Sequence, residues 1–195
     1  MLSTISFLSL LGLTFAAPTG EASTIDTRQT IHSIQPTSWI DHPLYSSSPN
    51  TCYNPSSALK IWRNGPNPDK GDSALYTFVY PSGVTSANQC WLEFSAGPGA
   101  TYSAPSVSID VYSSSQQGSC TGGSSSNYRN NNWGRLNVPS SGGTATWAWT
   151  SGGLSTKQPC KAGGSTEWIE LVAAGDNTNL QYYQTGGQGL VIKYQ

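Results

Sequence analysis

From Trp39 onward the chain is a succession of short runs in which apolar and polar residues alternate, each cut off by clusters of Gly, Pro, Ser and Asn. A two-residue period sends alternate side chains to opposite faces of a strand, and no stretch shows a sustained helical period with caps. The pattern predicts an all-β fold, an antiparallel β-sandwich or jelly-roll-like single domain. The strand candidates are residues 57–64 (SALKIWRN), 73–81 (SALYTFVYP), 90–96 (CWLEFSA), 106–113 (SVSIDVYS), 133–138 (WGRLNV), 144–151 (TATWAWTS), 166–174 (TEWIELVAA), 180–185 (LQYYQT) and 189–195 (GLVIKYQ). The intervening GPNPDKGD (65–72) and GPGATYSAP (97–105) carry residues that fix φ or permit positive φ, as turns require. Residues 113–132, SSSQQGSCTGGSSSNYRNNN, form a low-complexity connection, read as a mobile loop rather than a binding loop.

The front of the chain has a different character. Ile5 to Ala16 (ISFLSLLGLTFA) is an apolar run too short to span a bilayer, ending in small residues before Pro18. It resembles a secretory leader cut after Ala16, although only the terminal amine supplies charge ahead of it. Three segments are therefore expected: a leader over 1–16, a flexible lead-in or pro-segment over 17–35, and the β-sandwich domain over 36–195. Without the leader, 195 − 16 = 179 residues remain, enough for one domain with a real core. The expected location is secreted, extracellular or at a cell wall. The C-terminal GLVIKYQ is too short and polar for a lipid-anchor signal.

Charged residues make up 10% of the chain and the net charge is −1, so no basic patch is available for phosphate contacts. That argues against nucleic acid and against an anionic membrane surface. Four cysteines, Cys52, Cys90, Cys120 and Cys160, lie far apart without a CxxC pair. In a secreted chain this favours two disulfides over a zinc site, with three connectivities open.

Several motifs together carry a family resemblance: YP…QCWLEF (80–94), SIDVYS (108–113), NNW (131–133), PCKAGG (159–164), EWIELV (167–172) and GGQGLVIKY (186–194). Their order is similar to the C-terminal domain of the fungal "ubiquitin-binding" But proteins, found in small secreted fungal proteins. The resemblance covers roughly residues 55–195. It implies a β-sandwich, a fungal origin and a Cys90–Cys160 bond, and with that bond Cys52–Cys120. The family name implies a ubiquitin-like partner, but such a partner is cytosolic and nuclear, so a secreted chain would not meet it.

Candidate chemistry is sparse. His32 lies in the lead-in, and His42 beside Asp41 (WIDHP) reads as a satisfied surface histidine, because neighbours on an extended chain point apart. Asn67, Asp69 and Asp72 in NPDKGD lack the spacing of a calcium loop and read as a turn. Glycoside hydrolysis needs two carboxyl groups about 5–9.5 Å apart. Glu93 and Asp110 are the best pair, since each points away from the apolar face of its strand, but outward carboxylates are also what any solvated face carries. No catalytic residue, metal ligand or cofactor is assigned.

Applied to the first three runs, the two-residue period sorts Leu59, Ile61, Leu75, Thr77, Val79, Cys90, Leu92 and Phe94 onto one face. The other face collects Lys60, Trp62, Tyr76, Phe78, Tyr80, Trp91 and Glu93, an aromatic strip on the wetter side if the runs share a sheet. Trp62, Tyr76, Tyr80 and Trp91 are thus the candidate binding residues, because fixed aromatic rings match the flat apolar face of a sugar. The competing expectation is that residues 39–45 lie over the strip and bury it. Trp147 and Trp149 read as core. The leading functional expectation is a secreted, non-catalytic β-sandwich that binds a cell wall, host surface or extracellular glycan. The alternatives are a carbohydrate-active hydrolase using Glu93 and Asp110, and a protein-binding module. The expected partner is an extracellular glycan or a cell-surface protein, with the chain itself a monomer.

Overall fold

The structure is a computed structural model, and it describes residues 29–43, 58–64, 71–97, 99–102, 106–118, 129–185 and 188–195. Among these residues there is no α-helix, only strands and one 3-10 turn at Gly153–Ser155. The strands are β1 (His32–Ile34), β2 (Ser38–Pro43), β3 (Leu59–Asn64), β4 (Gly71–Val79), β5 (Gln89–Ala96), β6 (Thr101–Tyr102) and β7 (Ser106–Ser114). They continue with β8 (Arg129–Pro139), β9 (Gly143–Thr144), β10 (Thr146–Thr150), β11 (Gln158–Pro159), β12 (Thr166–Ala174), β13 (Asn177–Tyr182) and β14 (Gly189–Tyr194). All pairings are antiparallel, and the sheets pack in a sandwich-like single domain, as the alternating runs predict.

The smaller sheet runs β1-β14-β5-β11, with β9 also on β5. The larger runs β10-β8-β7-β12-β4-β3-β13-β6, with β2 also on β4. In β5, Cys90, Leu92, Phe94 and Ala96 are buried and Trp91, Glu93 and Ser95 are not, as the alternation requires. The facing side of the larger sheet supplies Ile109, Val111, Leu136, Ile169 and Leu171, and Phe94 meets Tyr182 edge to face at 5.0 Å between centroids. The Cys90–Cys160 disulfide holds β5 to the segment leaving β11, whose Gln158 stands opposite Cys90 in register. Cys52 and Cys120 lie outside the described residues.

Four features differ from the sequence reading. The first is the orientation of β4: Tyr76, Phe78 and Tyr80 face the core, while Val79 is 39% exposed and Thr77 half-buried. Strand β4 is central, with β12 along residues 74–79 and β2 along residues 72–77, and apolar residues cover both of its faces. Leu75 is buried on the outer side, where Gly118 comes so near that a Cβ would press on Leu75 and Ile40. The second is the 39–45 segment, whose residues 39–43 belong to strand β2 (Ser38–Pro43), hydrogen-bonded beside β4 rather than laid across it, while 44–45 lie outside the described residues. The third is the lead-in, whose residues 32–34 form the edge strand β1, with His32 stacked on Tyr194 at 5.0 Å.

The fourth is Trp149, which is 42% exposed rather than core. Register slips between Trp147 and Trp149, so Ala148 makes a β-bulge in β10 that turns Trp149 outward while half-buried Trp147 packs against the core. Opposite the bulge, Gly134 has φ 146° and lies against the Trp149 carbonyl, where a Cβ would not fit. Of the other segments with a single strand partner, β2 is six residues long and ends in Pro43, and the rest are short: three residues in β1, and two each in β6, β9 and β11, the last ending in Pro159.

Candidate functional site

Strand β3 joins β4 only at Trp62↔Asp72 and Arg63↔Gly71, then runs its whole length against β13. The β3–β13 pair has a clean alternation. Leu59, Ile61, Thr178, Leu180 and Tyr182 are buried, and Lys60, Asn64, Asn177 and Asn179 are exposed. Register places Asn64 opposite Asn177, Trp62 opposite Asn179, and Lys60 opposite Gln181 on the outer face. Trp62 and Asn64 line an open groove of about 230 Å³ together with Arg63, Asn177, Thr178 and Asn179. Arg63 reaches Asp176 at 3.5 Å at the end of this groove.

The Trp62 ring is held by its cross-strand partner. Its indole N–H donates to the Asp72 carboxylate, which is 6% exposed. Asp72 and the 3%-exposed Asp41 are near enough to influence each other electrostatically. Burial, and then the Asp72 charge, push Asp41 up to about 7, against the pull of the Lys60 backbone N–H and ammonium. Burial also raises Asp72, opposed by the Trp62 hydrogen bond and by the Lys60 and His42 charges. The Asp41 Oδ1 has no hydrogen-bond partner. Close by, the Tyr76 and Tyr182 hydroxyls bond to each other in the core. Neither carboxyl lines the groove, so this polar cluster supports the ring instead of meeting what the groove holds.

The candidate strip Trp62, Tyr76, Tyr80 and Trp91 is not one surface. Tyr76 and Tyr80 are each 1% exposed, in the core. Trp91 is half-buried on the smaller sheet, with the Lys157 ammonium 4.4 Å above its ring centroid. Trp62 belongs to the larger sheet, on its polar face. Glu93 and Asp110 also stand on different sheets and each has its own cation. Arg135 clamps both Asp110 oxygens at 2.7 and 3.0 Å, and Lys193 lies 3.5 Å from Glu93. His42 is buried, opposite Ser73, and not at the surface. Asp72, read as a turn residue, is in β4, while Asn67 and Asp69 lie outside the described residues.

Sequence reasoning missed Asp41 and Asp72 as a buried pair, because they come from separate segments that only the β2–β4 and β3–β4 ladders bring together. It also missed the amide row on β13, although N-T-N-L-Q-Y-Y-Q (177–184) alternates polar with buried residues and could have revealed it. Among the described residues, no cluster of three His, Cys, Asp or Glu could hold a metal ion, and no helix is long and apolar enough to cross a membrane. No family model matches the chain, and no curated protein matches it.

Proposed function

We propose that the protein is a secreted, non-catalytic β-sandwich module that binds an extracellular or cell-wall glycan through the outer face of β3 and β13. The observation that carries this reading is a tryptophan ring, hydrogen-bonded to its buried cross-strand partner Asp72, lining an open groove with Asn64, Asn177, Asn179 and Arg63. An anchored ring offers a flat apolar surface to the C–H face of a sugar, and amide and guanidinium groups beside it suit sugar hydroxyls. The apolar leader and the Cys90–Cys160 bond support secretion, and the same bond joins two of the motifs that resemble But C-terminal domains. The separation of Glu93 from Asp110 and their pairing with Lys193 and Arg135 count against the hydrolase alternative.

The test is co-sedimentation of the purified mature chain with insoluble β-glucan, chitin and mannan. One of these should retain the protein, and Trp62→Ala should weaken retention about tenfold, as loss of one stacking contact predicts. Equal behaviour of the wild type and Trp62→Ala on every polymer would overturn the proposal.

A further inference from the structure

The outward row of β13 does not stop at the end of the strand. Tyr182 and Gln184 are buried, and Tyr183 between them is 47% exposed, so the alternation of Asn177, Asn179 and Gln181 continues into an aromatic ring. Its backbone is held on both sides. Tyr182 is locked in the core by Phe94 and Tyr76. The Gln184 amide accepts from the Leu190 N–H at 2.8 Å and donates to the Leu190 carbonyl at 3.1 Å, taking the place of a strand partner for β14. Gly189, at φ 84°, leaves the space that the amide occupies, and a Cβ there would collide with it. Tyr183 is therefore carried on a fixed backbone. From Asn179, the register partner of Trp62, to Tyr183 is four residues, or ~13 Å along an extended chain.

We propose that Trp62 and Tyr183 form the two ends of one linear binding surface, with Asn179 and Gln181 between them, and that its ligand is an uncharged, extended oligosaccharide longer than a disaccharide. This rests on the glycan-binding reading above. Rings carried at positions ~13 Å apart along the strand direction are too far apart to stack on the same sugar, so the ligand must span both. The straight course of β13 favours an extended chain over a coiled one. The row between the rings offers amides, which donate and accept without charge. Among the described residues, the exposed cation on this face is Lys60, and it is offset by Asp72, on which its charge acts. Arg63 has Asp176 beside it. A polyanionic sugar chain would find no net positive charge among the described residues to draw it in.

The experiment is calorimetric titration of the mature chain with neutral β-linked oligosaccharides (glucan, N-acetylglucosamine and mannan series), each as disaccharide and hexasaccharide, and with an oligogalacturonate hexamer. One neutral hexasaccharide should bind at least about tenfold more tightly than its disaccharide. Tyr183→Ala should weaken the hexasaccharide about tenfold and leave the disaccharide unchanged, and Tyr183→Phe should restore the hexasaccharide, since the stacking face is kept. Unchanged melting of both variants confirms that they fold. If Trp62→Ala weakens binding while Tyr183→Ala does not, the two-ring surface is overturned and the glycan reading stands. Preference for the galacturonate overturns the uncharged class. Indifference of every sugar to Trp62→Ala overturns both.

Discussion

Asp41 makes the stability of this protein depend on pH in a direction opposite to that of a salt-bridged carboxylate. Its pKa in the folded chain is about 7 against an ordinary 3.8, so the folded state keeps a proton that the unfolded state has released. The stability this gives is complete below about pH 4 and is lost as the pH rises through 7. A shift of about three units corresponds to about 4 kcal/mol across that window. Asp72 shifts the same way and adds to the trend. Asp41→Asn removes the ionisation while keeping the shape, and the position of Oδ1, which has no partner in the wild type, receives an amide that cannot charge. The variant should match the wild type near pH 4 and exceed it by up to about 4 kcal/mol at pH 8. Urea unfolding followed by tryptophan fluorescence, at pH steps from 4 to 8, measures both curves. A wild-type stability that is flat or rises from pH 4 to 7, or an Asp41→Asn curve that parallels it, would refute the account of a proton trapped by burial.

Three other outcomes follow from the packing. Reducing Cys90–Cys160, which spans 70 residues, should cost about 4 kcal/mol, seen as a lowered melting temperature, and peptide mapping should recover this pair. Tyr76→Phe leaves the buried Tyr182 hydroxyl without its partner and should cost about 1–3 kcal/mol in the same urea assay. Trp91→Ala removes the contact with the exposed Lys157 ammonium but opens no core cavity, so its cost should stay near 1 kcal/mol, and a loss of 3–5 kcal/mol would show that the ring supports the core.

How legible these features were depended on whether each strand has one wet face. In β5 the inward residues are apolar and their neighbours are largely not, so the strand could be drawn within a residue of its observed limits. Strand β4 defeats the same rule because Asp72 through Tyr76 are all buried, and alternation carries no signal when both faces are covered. Strands β1 and β2 owe their pairing to distant partners and show little pattern of their own. The Ala148 bulge reverses Trp149 without any mark in TATWAWT. For the site, Trp62 was found through its place beside Lys60 on the polar side of KIW. Tyr183 carries no such mark, because in the doublet with Tyr182 only burial shows which ring turns outward.

The treatment of the sheet margins has a consequence for the protein at high local concentration. A glycan surface that gathers many copies would bring their open strands close together, which is the condition under which β-proteins polymerise edge to edge. Strand β10 is kinked at Ala148, β2 and β11 each end in a proline that has no N–H to give, and β1, β6 and β9 are too short to template a neighbour. Crowded on a polymer, the molecules should stay independent, and straightening β10 by deleting Ala148 is the change that would let them stack into fibrils.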